Sequence, residues 1–381
     1  MKITFLSNVP LGSTFRLGSH HLSRELARSG HDVVHLSTPL SLVERALNRE
    51  VMGRNLARAT APLGDAHRRL LDGGYRDDAG VWHDVPRPIA PIRLMRRSRS
   101  VQLWLRQGHG RGTDVAIIDQ LFLAEALVGF RGTVIYRSTD MQTSPRGARL
   151  EQQVLSRADG VVWCSPVIAP DAHAGATGKP QLVLENGVDD SFFGNNAVAR
   201  RTGFVYVGAL DRRFDWHLVI ALARRHPNTP FGLAGPVTSP PRERLPGNIT
   251  LLGPVPYDDV PRLLQSYSIG LLPLTDDPMN AARSPMKYFE YLASGLQVLA
   301  SQTPGLAARP HVQGVRLYDG HAGAFAGAEE LLSLASPNLT GQVHARMYRW
   351  QRRARELEQF VESVVSGTAR RGEDANPEPK D

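Results

Sequence analysis

The chain lacks the residues and patterns on which several classes of protein depend. Its 381 residues include a single cysteine, Cys164, which excludes an internal disulfide and a cysteine-based zinc cluster. No stretch approaches the ~18 consecutive apolar residues that a membrane-spanning helix needs. The opening segment MKITFLSNVP is typical of a first β-strand, not of a signal peptide. Gly12 and Gly18 flank the next loop without forming the G-x-G-x-x-G pattern of a dinucleotide site.

The positive charge of the chain is concentrated in one region. Between Arg45 and Arg111 there are 14 arginines and 6 acidic residues, a difference that equals the net charge of +8. No aromatic interleaving accompanies these arginines, so we expect no nucleic-acid partner. Residues 93–107 mix basic and apolar side chains, which favours contact with an anionic membrane surface over a surface helix with a buried apolar face. The predicted membrane residues are Arg93, Arg96, Arg97, Arg99 and Trp104.

Short apolar runs alternate with helical stretches along the chain, which predicts parallel sheets covered on both faces. The predicted fold class is α/β, with two doubly wound Rossmann-like domains facing each other across a cleft. We predict a first domain at 1–190, which holds the acceptor and contacts the membrane, and a second at 191–341, which binds a nucleotide-sugar. A C-terminal helix at 342–365 is predicted to pack back towards the first domain, followed by a disordered tail at 366–381.

The segment SPMKYFEYLASG at 284–295 follows an apolar strand and predicts the start of a helix. Ser284 suits the N-cap and Pro285 the first helical position. Lys287 then lies in the first turn, where the helix dipole attracts anions and disfavours a cation. This combination predicts a diphosphate site, with Glu290 one turn on accepting hydrogen bonds from sugar hydroxyls. The alternatives are a solvated lysine and an ordinary surface glutamate.

Four segments of the second half resemble the nucleotide-sugar domain of GT-B glycosyltransferases. They are NGVDD (186–190), VGALDRRFDW (207–216), NITLLGPVPYDDVPRLL (248–264) and IGLLPLTDDPMNAARSPMKYFEYLASGLQVLAS (269–301). The N-terminal LGSTFRLGSHHLSRELARSGHDVVHLSTPLS resembles the narrower family of the xanthan glucuronosyltransferase. Those enzymes are inverting and metal-independent, and they glycosylate a polyprenyl-diphosphate-linked oligosaccharide at the inner membrane face.

The resemblance implies a function for the whole chain. It implies transfer of a sugar, with glucuronate as the favoured one, from a UDP-sugar to a lipid-linked glycan acceptor, without a metal or other cofactor. The protein would be cytoplasmic and peripherally bound to the inner face of the cytoplasmic membrane. Asp140 would be the general base; its alternative role is that of a turn former or helix cap. Retaining GT-B enzymes commonly carry two glutamates eight positions apart, and Ala282 stands where the first would precede Glu290, which favours inversion.

The remaining site residues are predicted for the two substrates. For the donor they are Gly208, Arg213, Ser284, Met286, Lys287 and Glu290, and for the acceptor Arg16, His20 and His21, with Ser19 as the cap of their helix. Three other functions stay open at this point. They are a retaining GT-B glycosyltransferase, an isomerase similar to nucleotide-sugar 2-epimerases, and a nucleotide-sugar-binding protein without catalysis.

Overall fold

The structure is a computed structural model that describes residues 1–7, 16–37, 74–85, 105, 108–169, 176, 178–194, 201–282 and 284–374. The chain divides into two compact units. Unit 1 comprises Met1–Cys164, Ile168–Leu184 and Gln351–Asp381, and unit 2 comprises Ser165–Val167 and Glu185–Trp350. We predicted the division after residue 190, and the packing places it after Leu184.

Unit 1 contains a sheet of eight described strands in the order β3-β4-β2-β1-β5-β6-β7-β8. All neighbours are parallel except β3 and β4. The central strands are apolar and buried almost throughout, because helices cover both faces of a parallel sheet. The strands are β1 (Lys2–Leu6), β2 (Asp32–Leu36), β3 (Tyr75–Arg76), β4 (Trp82–Asp84), β5 (Val115–Ile118), β6 (Thr133–Ser138), β7 (Gly160–Trp163) and β8 (Gln181–Val183).

Three α-helices of the described chain belong to unit 1: α1 (Gly18–Arg28), α2 (Pro145–Arg157) and, at its C-terminal end, α10 (Trp350–Asp374), whose residues from Gln351 onward lie in this unit. A 3-10 helix, Leu121–Leu127, follows β5. The Ser144 hydroxyl accepts a hydrogen bond from the Gly147 amide at 3.0 Å and so caps α2, which begins with a proline. Helix α10 packs on β7, since a side chain at Gly160 would collide with Val364 and Phe360.

Unit 2 contains a parallel sheet of six described strands in the order β11-β10-β9-β12-β13-β14. The strands are β9 (Phe204–Val207), β10 (Phe231–Ala234), β11 (Ile249–Gly253), β12 (Ile269–Leu272), β13 (Gln297–Ser301) and β14 (Val315–Tyr318). The strand order reverses between β9 and β12. In open α/β sheets this switch point is where ligands bind, at the carboxyl ends of the strands.

Helices cover both faces of the second sheet. They are α3 (Trp216–Arg225), α4 (Val260–Leu264), α5 (Pro278–Ala281), α6 (Met286–Ala293), α7 (Pro304–Ala307), α8 (Gly320–Ser333) and α9 (Leu339–Arg346). Each face has its own apolar core, one built around Phe204, Phe231 and α3, the other around Phe289, Tyr291 and Leu292 of α6. Burying one such side chain contributes roughly 1.5–3 kcal/mol. The sheet therefore holds α6, and the side chains that it carries, in a fixed position.

Two features of the C-terminal region differ from the prediction. The predicted single helix at 342–365 consists of two helices, α9 and α10, because residues between Arg346 and Trp350 turn the chain. Helix α10 extends to Asp374, so residues 366–374 are helical and not part of a disordered tail. Among the described residues, no helix combines the length and apolar character needed to cross a membrane.

Candidate functional site

The switch point of unit 2 is built from backbone at the end of β9. Gly208 follows the strand, and its amide donates to the Ala234 carbonyl at 2.8 Å. A Cβ at Gly208 would lie 2.7 Å from the Lys287 ammonium nitrogen, and a Cβ at Gly235 would collide with the Gly208 carbonyl oxygen. Both glycines also have positive φ angles. Glycine is therefore required where these two strand ends pass close to each other and to Lys287.

Lys287 lies at the second position of α6, beside that glycine turn. Its ammonium nitrogen is 5.7 Å from the centroid of the Tyr206 ring. The helix dipole disfavours a cation in the first turn of a helix. An anion bound between the cation, the helix start and the Gly208 backbone would offset this cost. The structure thus brings predicted donor residues Gly208 and Lys287 together.

Glu290 lies one turn further along α6 and is buried. Burial raises the pKa of its carboxyl to about 7, against the opposing effects of the Lys287 charge and a hydrogen bond from Tyr257. The nearby Asp189 raises it further. A buried carboxyl with these neighbours is not the ordinary surface glutamate that the sequence left open.

Ser284 does not cap α6, contrary to the prediction. The helix begins at Met286 with Pro285 at its N-cap, and no side chain caps it. The Ser284 hydroxyl instead accepts hydrogen bonds from the Asn186 amide at 3.2 Å and from the Arg309 guanidinium at 3.0 Å. The Asn186 side chain donates to the Ser284 carbonyl at 2.8 Å. Ser284 therefore joins the NGVDD segment to the start of α6.

Arg309 is a residue of this region that the sequence did not single out. Its side chain is 4% exposed and forms an ion pair with Glu185. The guanidinium carbon lies 4.8 Å from the centroid of the Tyr288 ring and 4.6 Å from that of Phe289. No local pattern marks this arginine, since its partners come from distant segments. Its place against α6 follows only from the fold.

Two further donor residues are placed by the structure at the edge of this region. Arg213 forms hydrogen bonds from its Nε to both Asp211 carboxylate oxygens at 3.1 Å, which holds its side chain over its own loop. Met286, the first residue of α6, is partly exposed. Ala282, the position that lacks a glutamate, is buried.

The predicted base, Asp140, lies in unit 1, two residues beyond the end of β6. It is partly exposed, and its carbonyl accepts a hydrogen bond from the Gln142 side chain at 3.1 Å. Ser144 caps the helix that follows, so Asp140 does not have the capping role that was its alternative. A second carboxyl, Asp119 after β5, acts on it electrostatically and was missed by the sequence analysis.

The predicted acceptor residues lie around α1. The helix begins at Gly18 with Leu17 at its N-cap, so the prediction of Ser19 as the cap was wrong. His20 and His21 are buried, and His20 Nδ1 accepts a hydrogen bond from the Leu17 amide at 3.0 Å. Arg16 is partly exposed. Their contact with an acceptor stays a prediction.

Two further predictions concern membrane contact and the lack of a metal. The membrane residues Arg93, Arg96, Arg97, Arg99 and Trp104 lie outside the described residues. Among the residues that the structure describes, no three His, Cys, Asp or Glu side chains are grouped so as to hold a metal ion.

Comparison with known proteins finds a family model that matches part of the second unit. Residues 201–334 match the family model of glycosyl transferases group 1. A curated relative, the putative teichuronic acid biosynthesis glycosyltransferase TuaH of Bacillus subtilis (strain 168), is 27% identical over 202 residues. That match covers 45% of this chain and 51% of the relative, so the chain spans about half the length of the curated relative that it matches.

Solved structures resemble nearly the whole chain. HepE of Anabaena in complex with UDP-glucose has a TM-score of 0.66 at 16% identity, covering 96% of this chain and 100% of that chain. The α,α-trehalose 6-phosphate synthase of Burkholderia multivorans has a TM-score of 0.63 at 13% identity, covering 96% and 99%. At such identities the likeness shows the fold, which is GT-B with two Rossmann-like domains, as predicted. Residues 201–334 of the second unit are similar to group 1 glycosyl transferases, whereas membership of the xanthan glucuronosyltransferase family stays a prediction.

The raised pKa of Glu290 predicts how the stability of the protein changes with pH. In the folded state the Glu290 carboxyl keeps its proton up to about pH 7, whereas the ordinary pKa of a glutamate is 4.5. The stabilisation from the protonated carboxyl is therefore complete below pH 4.5 and is lost as the pH rises through 7. Between about pH 5 and pH 8, the free energy of unfolding of the wild type should fall by about 1–3 kcal/mol more than that of Glu290→Gln.

Urea unfolding at both pH values measures this difference. Glu329→Gln, which changes an exposed glutamate of the same unit, is the matched control and should follow the wild type. Equal pH trends in the wild type and Glu290→Gln would contradict the assignment of the shift to Glu290.

Proposed function

We propose that the protein is a glycosyltransferase that takes its sugar from a UDP-sugar. The observation that carries the proposal is Lys287, a cation in the first turn of α6 that lies against the Gly208 backbone at the switch point of unit 2. This turn and helix fall within the segment that matches group 1 glycosyl transferases. A diphosphate is a ligand that satisfies both the lysine and the helix start, which no side chain caps.

In this proposal the donor is held by groups with separate tasks. Lys287, the α6 amides and the Gly208 backbone bind the diphosphate and stabilise its charge as it leaves. Glu290 accepts hydrogen bonds from the ribose hydroxyls, Met286 lines the base, and Arg213 adds positive charge near the phosphates. HepE was solved with UDP-glucose, which supports a UDP-sugar as the donor. The identity of the transferred sugar is a separate proposal.

We propose an inverting reaction with Asp140 as the general base. An acceptor hydroxyl forms a bond to the anomeric carbon while the bond from that carbon to the diphosphate oxygen breaks on the opposite face. The hydroxyl proton passes to the Asp140 carboxylate, and the electron pair of the broken bond leaves with UDP. Ala282 in place of a first glutamate supports inversion, because that pair is the mark of retaining GT-B enzymes.

We further propose glucuronate as the sugar and a lipid-linked glycan as the acceptor. The resemblance of the N-terminal segment to the xanthan glucuronosyltransferase family supports both. The Bacillus subtilis relative is named for teichuronic acid biosynthesis, and a sugar acid agrees with that name. Arg16, His20 and His21 are the proposed acceptor contacts.

Lys287→Ala should weaken UDP binding by about 10- to 100-fold, which corresponds to the loss of one charged hydrogen bond. Isothermal titration of UDP into both proteins measures the change. Arg224→Ala removes an exposed positive charge from α3 of the same unit and should leave the affinity unchanged. Unaltered affinity in Lys287→Ala would remove the basis of the diphosphate site.

Asp140→Asn should reduce sugar transfer at least about 100-fold, since it removes a general base, and should leave UDP affinity unchanged. The assay supplies a panel of UDP-sugars with a lipid-linked acceptor and determines the anomeric configuration of the product by NMR. Asp78→Asn, at an exposed aspartate of unit 1, is the matched control. A product that retains the donor configuration would refute inversion, and donor consumption without acceptor would indicate an isomerase.

We also propose peripheral binding to an anionic membrane through the segment 93–107. Replacing Arg93, Arg96, Arg97 and Arg99 by Gln should lower co-sedimentation with phosphatidylglycerol vesicles at least tenfold, because each basic residue contributes about 1 kcal/mol at such a surface. The control replaces four arginines of unit 2, Arg212, Arg224, Arg225 and Arg346. Equal losses in both variants would show a general charge effect and count against a membrane segment.

A further inference from the structure

Unit 1 has its own switch point, between β1 and β5, where the strand order reverses. Ser7 follows β1 and Asp119 follows β5, so both lie at the strand ends where α/β sheets bind ligands. The Asp119 and Gln120 amides both donate to the Leu6 carbonyl at 3.1 Å, which fixes the end of β5. The proposed reaction assigns no role to Asp119.

The Asp119 carboxyl is buried but incompletely paired. Its Oδ2 accepts a hydrogen bond from the Ser7 hydroxyl at 3.2 Å and lies 3.5 Å from a guanidinium nitrogen of Arg137. Its Oδ1 is buried and has no hydrogen-bond partner within the described part of the chain. Burial raises the pKa of Asp119 to about 6, Arg137 and Ser7 oppose the shift, and the charge of Asp140 adds to it.

A chain of hydrogen bonds leads from Asp119 into the interior, and its direction follows when Asp119 is a carboxylate, which can only accept. The single Ser7 hydroxyl proton points to Asp119, so Ser7 must accept from Ser19, 2.7 Å away. The Ser19 proton is then used, so Ser19 must accept from His35 Nε2 at 3.2 Å. His35 is therefore the Nε2–H tautomer, and burial lowers its pKa, which keeps it neutral. In this arrangement every proton of the chain points towards Asp119, which stabilises its carboxylate form.

We propose that Asp119 is a positioning residue of the transfer reaction: as a carboxylate it holds the Arg137 guanidinium to itself, and the Ser7–Ser19–His35 chain keeps it ionised. This inference rests on the proposed role of Asp140 as the base. Arg137 lies on β6, three residues before Asp140, and it is buried. When Asp119 takes up a proton, the Arg137 guanidinium loses this ion pair, and Asp140, whose charge acts on Asp119, is a carboxylate to which it can turn. An Asp140 paired in this way no longer accepts the proton of the acceptor hydroxyl.

The groups around Asp119 determine the pH dependence. Among the described residues Arg137 and Asp140 are the charged groups that act on it, whereas the end of β1 and helix α1 present the neutral Ser7 and Ser19. At the far end of the chain His35 packs against the rings of His20 and His83, with centroids at 4.6 Å and 5.5 Å, and His83 contacts the Asp77 carboxylate at 3.1 Å. Because the carboxylate is the active form, transfer should rise as the pH increases through about 6.

Ser19→Ala breaks the chain without touching Asp119. Loss of hydrogen bonding to a charged form raises the pKa of an acid, so the Asp119 titration should move to higher pH by about half a unit or more. The acid limb of the kcat profile should move with it, while kcat at high pH and UDP affinity stay as in the wild type. Ser23→Ala is the matched control, because this buried serine of α1 donates to the His20 carbonyl and lies outside the chain.

The Asp119 titration is followed by NMR of the full chain labelled with 13Cγ-aspartate, and the resonance lost in Asp119→Asn identifies it. Asp119→Asn, which cannot ionise, should lower kcat at least tenfold at every pH and abolish the acid limb. If the Asp119 titration shifts in Ser19→Ala but the acid limb of the kcat profile stays in place, the positioning role is overturned. A titration that does not shift would overturn the hydrogen-bond chain.

The same measurements separate this inference from the proposed function. If the wild type transfers no sugar from any donor, the proposed function and the positioning role both fail. The carboxyl titrations do not need turnover, so they still decide whether the chain holds Asp119 as a carboxylate. Thermal unfolding of each variant checks that loss of activity is not loss of fold.

Discussion

The buried Arg309 guanidinium is the interaction on which the geometry of unit 2 depends most. It joins two segments that are distant from it and from each other in the sequence: Glu185 before the NGVDD loop, and residues 284–289, which contain Ser284 and the aromatic pair of α6. Leaving a buried charge unpaired costs free energy. Separating Arg309 from Glu185 would therefore be unfavourable, which keeps these residues together. The start of α6, and with it Lys287, has its position because Arg309 fixes what precedes it.

In the proposed function the two units use the same topological position for different chemistry. In unit 2 the switch point is occupied by glycine backbone, with Lys287 beside it, which leaves room for a polyanion. In unit 1 the corresponding strand ends carry Ser7 and Asp119, which fill the position with hydroxyl and carboxyl groups. Phosphate binding requires close backbone approach and positive charge, whereas proton transfer requires titratable side chains held in low-dielectric surroundings. The residues that end the strands therefore agree with the proposed roles, phosphate binding in unit 2 and proton transfer in unit 1.

Local patterns predicted the features that are themselves local. Alternating apolar runs gave the strands, and the SPMK segment placed Lys287 in a first helical turn, while the family resemblance gave the GT-B fold. The predicted capping role of Ser284 was wrong because its hydroxyl bonds to Arg309, which lies 25 residues away in the sequence. No periodicity in the sequence connects the two residues. Asp119 was missed for the same reason, since it meets Ser7 across 112 residues. Contacts of this kind arise from strand order, which a single sequence does not display.

Tyr291 has a consequence that extends beyond its own packing. Its ring lies directly on Gly270 of β12, and its hydroxyl accepts a hydrogen bond from the Val207 amide, one residue before Gly208. Helix α6 is thereby fastened to both strands of the switch point. Because Lys287 and Glu290 are both carried by this helix, the proposed contacts to the diphosphate and to the ribose keep a fixed spacing. A donor in which these two groups lie at a different spacing would satisfy only one of the two side chains.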